Sequence, residues 1–150
     1  MGLDMYLQAR RYLSSYDEEE RPVQDAIRQA LLACPGEPKW VTCEALYWRK
    51  VNAIHAWFVT NVQDGADECQ EHDVSSAQLT ELRDTIREVL TDPVKNAPEL
   101  LPTQAGFFFG STDYDEYYIE QLRDTEKRLT DLLDMKWDEK GWYFTYHASW

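Results

Sequence analysis

No stretch of this sequence approaches the ~20 consecutive apolar residues that a membrane-spanning helix needs. The opening Met1-Gly2-Leu3-Asp4-Met5-Tyr6 has neither the basic nor the apolar region of a secretory signal. Both absences point to a cytosolic protein. Gly2 does not sit in a myristoylation signal, because Tyr6 stands where that signal needs Ser or Thr. Basic residues are scarce: 15 Lys and Arg face 28 Asp and Glu, a formal net charge of −13 with the three histidines neutral. Phosphate backbones are gripped by clustered Lys and Arg, so this balance argues against direct binding to nucleic acid. A basic partner protein, or mimicry of a polyanion, is compatible with it. Cysteine is sparse too. Cys34, Cys43 and Cys69 are an odd number at wide spacings in a chain large enough to fold without staples, which fits reduced thiols.

What is present suffices for one core. The 150 residues, 43% hydrophobic and 13% aromatic, match the ~100–150 residues of a single domain. Residues 4–13 alternate Met5, Leu7, Ala9 and Arg11 against Tyr6, Gln8 and Arg10, a strand pattern. The run Asp17-Glu18-Glu19-Glu20 reads as a solvated loop. Pro22 then opens a helix carried by Val23, Ala26, Ile27, Ala30 and Leu31 and stopped by Cys34-Pro35-Gly36. Residues 40–44 read as a short strand. From Ala45 the spacing of Tyr47, Val51, Ile54, Phe58 and Val62 predicts a central helix ending near Asp64-Gly65. A short strand is expected within 69–74. Ser75, with Gln78 three residues on, caps a helix carried by Leu79, Leu82, Ile86, Val89 and Leu90 that closes before Pro93.

Residues 95–112 read as loop, punctuated by Pro98, Pro102, Gly106 and Gly110, with Phe107-Phe108-Phe109 as a buried strand or an anchored turn. Thr112 with Asp115, or Asp113 with Glu116, offers a capping box for a helix through Tyr118, Leu122, Leu129, Leu132 and Leu133. Residues 141–149 alternate as a last strand. The fold expected is a single α+β domain over residues 1–150. Its small, mostly antiparallel sheet contains the first and last strands, possible neighbours, and packs with three to four helices.

Two blocks could carry chemistry. On a helix from Ala45, Trp48, Asn52 and His55 form one stripe with Arg49 beside it. Such a set can hold a planar anion: Trp48 stacks, Arg49 or Lys50 supplies charge, and Asn52 and His55 read polar edges. The alternative is packing, with Trp48 in the core and His55 on a backbone carbonyl. In the second block Thr103, Gln104, Ser111 and Thr112 run into a helix N-terminus, where free N–H groups can receive an anion or be capped locally. Gly110-Ser111 lacks the lysine of a phosphate-binding Walker loop.

Chemistry beyond binding has little support. Cys69 and His72 are a single pair at ligand spacing, short of a zinc site, and no metal or cofactor is expected. There is no Gly-x-Ser-x-Gly elbow, and paired carboxylates are too common in so acidic a chain to nominate a catalytic pair.

Three blocks together resemble a known family. Gly2-Leu3-Asp4-Met5-Tyr6-Leu7 is the first, and Tyr47-Trp48-Arg49-Lys50 with Asn52-Ala53-Ile54-His55 and Trp57-Phe58 the second. The third runs from Leu100 to Thr112 and on to Tyr114-Asp115. They resemble a family of small proteins encoded by bacteriophages and prophages. The resemblance implies action in the cytoplasm of a host cell and brings no defined activity with it. Phage proteins of this size commonly sequester or degrade a signalling molecule, or occupy a host protein's nucleic-acid site. The leading expectation is a non-enzymatic protein that binds a nucleotide-like small molecule in a host-defence context, through Trp48, Arg49, Asn52, His55, Thr103, Gln104 and Ser111. The alternative is an acidic decoy for a basic host protein. The third is a nucleotide-processing enzyme with His55 as general base.

Overall fold

The computed structural model describes residues 2–32 and 34–150. The elements run β1 (Asp4–Tyr12), α1 (Arg21–Ala30), β2 (Trp40–Arg49), α2 (Asn52–Asn61), β3 (His72–Val74) and α3 (Ser76–Thr91). They continue with α4 (Pro93–Leu100), α5 (Glu116–Asp134), a 3-10 turn (Asp138–Lys140) and β4 (Trp142–Ser149). The sheet order is β2-β1-β4-β3 and every pairing is antiparallel. The α+β class is as expected, and the first and last strands are neighbours, with Leu7 opposite Tyr146.

Alternation along the strands decides where the core sits. Met5, Leu7, Leu46, Trp48, Phe144 and Tyr146 are buried and join one apolar cluster with Ile54 and Phe58 of α2, Leu82 and Ile86 of α3, and Leu122 and Leu129 of α5. The residues between them point to the other face of the sheet, where Tyr6 stacks on His147 and packs against Tyr47. Helix α2 is apolar on most sides and buried nearly all round, including Asn52 and His55.

Three expectations are corrected. Residues 45–49 are strand, not helix: Tyr47, Trp48 and Arg49 pair with Tyr6, Met5 and Asp4, and the helix begins only at Asn52. Cross-strand pairing with β1 decides the conformation of this aromatic run over a helical spacing that it matches by coincidence. Residues 93–100 form an additional helix, which makes five among the described residues against the three to four expected. Pro93 occupies its first turn, where no N–H is needed, and Asp92 caps it. The cap of α5 is Asp115, whose Oδ1 accepts from Tyr118 N at 3.0 Å, rather than Thr112 or Asp113. The box at Ser75 and Gln78 is formed in both directions, and Phe107 to Phe109 make a turn that buries only Phe109 fully.

Candidate functional site

The strand β2 and the helix α2 are joined by Lys50 and Val51 alone. Lys50 takes a left-handed conformation, φ +58°, which costs a side-chain-bearing residue roughly 1–2 kcal/mol. It is held there by its neighbours: its N–H donates to the Leu3 carbonyl at 2.8 Å. Its stem lies against two glycines. A Cβ on Gly110 would stand 3.2 Å from Lys50 Cβ, and one on Gly2 would stand 3.2 Å from Lys50 Cε. Gly110 is itself at φ +89°, so conformation and space both demand glycine there.

The turn sets the start of α2 beside the loop from Leu101 to Asp115. Asn52 fastens the two together. Its Nδ2 donates to the carbonyls of Phe109 (3.0 Å) and Ser111 (2.8 Å), and its Oδ1 accepts from Gln104 N (3.0 Å). Three buried or half-buried backbone groups of a loop thus find their partners on one amide. Thr103 Oγ1 donates to the Thr112 carbonyl, and Ser111 Oγ to Asp113 Oδ2.

These segments enclose a pocket of about 270 Å³. Lys50, Asn52 and Ala53 form one wall, Thr103, Gly110 and Ser111 another. Asp113, Asp115, Tyr117 and Gln121 complete the rim. Among the described residues no side chain caps the first turn of α2, leaving its N–H groups directed at this end of the helix. Lys50 takes part in no ion pair among the described residues. One wall is therefore electropositive and the opposite rim carries two carboxylates. Asp115 is already engaged as a helix cap and Asp113 by Ser111.

Of the seven residues named from sequence, Asn52, Thr103 and Ser111 line this pocket and the other four do not. Trp48 is 2% exposed, and its Nε1 donates to Thr125 Oγ1 at 2.9 Å, with the Arg128 guanidinium over its ring. It is a core residue on a strand. Arg49 projects outward near Asp4, 3.7 Å away. Gln104 meets Asn52 through its backbone, while its own Oε1 is buried without a partner among the described residues. The stripe of Trp48, Asn52 and His55 does not exist, because the chain is not helical before Asn52. Sequence reasoning gave Lys50 only a supporting role and did not single out Asp113, Asp115, Tyr117 or Gln121 for the ligand site.

His55 has no exposure at all. Its Nε2 is 2.9 Å from Asp67 Oδ1 and its Nδ1 is 2.8 Å from the Tyr146 hydroxyl. With the carboxylate accepting from Nε2–H and the tyrosine donating to Nδ1, the ring is neutral and fully satisfied. Burial holds its pKa below the usual imidazole value, and Asp67 opposes this only in part. Burial likewise pushes the Tyr146 hydroxyl up. Among the described residues the ring is fully enclosed and lines neither the pocket beside Lys50 nor the four other hollows of the surface.

The same depressed pKa gives a pH signature. The unfolded chain takes up its proton near pH 6.5 and the folded chain only at lower pH. His55 therefore leaves stability unchanged above about 6.5, and reduces it as pH falls from that value to the folded pKa. Urea midpoints measured from pH 7.5 to 5 are expected to fall more steeply for the natural protein than for His55→Gln. Parallel curves would contradict the assignment.

Among the described residues no group of three or more His, Cys, Asp or Glu is placed to hold a metal ion. No helix is long and apolar enough to cross a membrane among those residues. No family model, no curated protein and no solved structure matches the chain.

Proposed function

We propose that this is a phage-encoded, non-enzymatic binding protein that holds a small nucleotide-like molecule between the start of α2 and the loop from Leu101 to Asp115. A host signalling nucleotide sequestered in this way is the context that the resemblance supplies. One observation carries the reading: a lysine kept in a left-handed turn, wedged between two glycines, at the mouth of a pocket that the uncapped first turn of α2 also faces. Backbone strain of this kind persists where the surroundings enforce it, and it concentrates at ligand sites.

The chemistry of the walls matches an amphoteric ligand. A phosphate is stabilised by the Lys50 ammonium and the N–H groups of α2. Sugar hydroxyls can donate to Asp113, and Tyr117, half-exposed at the rim, offers a flat ring. The volume lies just below the ~300–1,000 Å³ of typical ligand sites, which favours a mononucleotide over anything larger.

Against the acidic-decoy reading stands the use of key carboxylates within the chain. Glu20 accepts from Ser14 N and Arg11, Glu71 pairs with Arg10, and Asp67 with His55.

Lys50→Gly separates binding from folding, because glycine relieves the left-handed strain while it deletes the ammonium. Its stability is expected to stay within about 1 kcal/mol of the natural protein. Calorimetric titration with a panel of mononucleotides and cyclic nucleotides is expected to give heat for at least one, with affinity reduced at least about tenfold in Lys50→Gly. Absence of heat across the panel for the natural protein would remove the reading's main support.

A further inference from the structure

At the far end of α5 lies a second hollow, chemically unlike the first. Helix α5 has 19 residues and so is roughly 28 Å long, with its first turns at the Lys50 pocket and its last turn over this one. The hollow has a volume of about 320 Å³.

Its floor is the helix-facing side of the sheet. Further along that side the strands carry large side chains, Met5 and Leu7 on β1 and Leu46 and Trp48 on β2. Here they carry Ala9, Cys43 and Ala45 instead. Ala45 is the extra residue of a bulge, since Leu7 faces Leu46 while Gln8 faces Glu44. Three small side chains thus coincide where α5 ends and can no longer cover the sheet.

The walls are bulky and apolar: Leu132 and Met135 from the end of α5, Trp137 after it, and Trp142 and Phe144 from β4. Trp137 packs edge-on to Phe144 with ring centroids 4.1 Å apart, so this wall is fixed. Met135, exposed and unbranched, can adapt to an occupant. Water finds few hydrogen-bonding partners in such a space and is held poorly. Lys140 supplies the one charge in the lining, and no salt bridge engages it among the described residues.

We propose that this hollow is a second binding site, for an anionic amphiphile whose acyl chain fills the apolar space and whose acid group pairs with Lys140. In so acidic a chain, a lone unpaired ammonium at the lip of an apolar cavity selects an anionic head over a neutral one. The body of the ligand gains the contacts that Ala9, Cys43 and Ala45 leave unmade. A free fatty acid and an anionic lipid share this chemistry, and the volume takes one medium-length chain.

The test titrates the full-length protein with decanoate and follows tryptophan emission, to which Trp137 and Trp142 contribute. A saturable change is expected, with decanol at least about tenfold weaker and the preference lost in Lys140→Gln. Cys43→Phe, at an exposed position on an edge strand, fills the hollow and is expected to abolish the response. Failure of decanoate to saturate, equal binding of decanol, or binding unchanged in Cys43→Phe would each overturn the proposal. So would binding to phosphatidylglycerol vesicles with no response to monomeric decanoate.

A second measurement needs no variant. Decanoate is expected to slow iodoacetamide alkylation of Cys43 at least about fivefold, as mapped by mass spectrometry, with Cys69 as the exposed reference. Equal rates with and without decanoate would count against the site.

Discussion

Trp48→Ala is expected to destabilise the protein by about 4 kcal/mol, the range for removing a buried aromatic side chain from a packed core. The indole is 2% exposed, lies against Phe58, and spans from β2 to α5 through its bond to Thr125. Its loss leaves a cavity and an unpaired buried hydroxyl, and the Arg128 guanidinium loses the ring beneath it. Urea denaturation measures this directly. A loss under about 1 kcal/mol would mean that the indole is not part of the core. The sequence reading assigned Trp48 to ligand stacking, in which case truncation would abolish binding and spare the fold. Here the order is reversed: stability falls first, and any change in binding follows from it.

Asn52→Ala is expected to cost about 3 kcal/mol, from three bonds to a half-buried loop at roughly 1 kcal/mol each. Alanine leaves Gln104 N and the carbonyls of Phe109 and Ser111 without a partner, and fits the helix otherwise. Hydrogen exchange at Gln104 is the sharper readout, since its amide bonds to the Asn52 side chain itself. That amide is expected to lose protection well beyond the global change in stability, and the loop to loosen around the pocket. Exchange altered only in proportion to global stability would mean that Asn52 does not fasten the loop. Asn52→Asp is no rescue, because it turns an anion toward two carbonyl oxygens.

These two residues show how far the sequence could be read. Alternation marked β1 and β4 as strands and gave the faces of β1, since their apolar positions recur at period two with no competing pattern. The capping box at Ser75 marked α3 for a local reason that local sequence contains. β2 was different. Tyr47, Val51, Ile54 and Phe58 happen to fall at helical spacing, yet the strand continues to Arg49 because β1 pairs with it, a partner more than thirty residues away in the chain. Placing the helix too early joined Trp48 to His55 in a stripe and hid the turn at Lys50.

The site itself depended on that turn. Lys50 becomes distinctive only when Gly2 and Gly110 are seen on either side of it, and no spacing in the sequence brings those glycines together. Thr103 and Ser111 were named as donors in a loop that runs into a helix N-terminus, and Asn52 as part of a helical stripe that the structure does not form. All three line the pocket while serving the loop's own hydrogen bonds. The prolines concealed α4 in the same way: Pro93 reads as a breaker until its place in a first turn is known.

The central claim is that a ligand sits at the junction of β2 and α2. Its most direct test is a two-dimensional amide NMR titration of the natural protein with the nucleotide that gives the strongest calorimetric signal. Shifts are expected to cluster on the amides of Lys50, Asn52, Ala53, Thr103, Ser111 and Asp113, and to vanish in Lys50→Gly. Shifts centred elsewhere, or a pattern unchanged in that variant, would contradict the account.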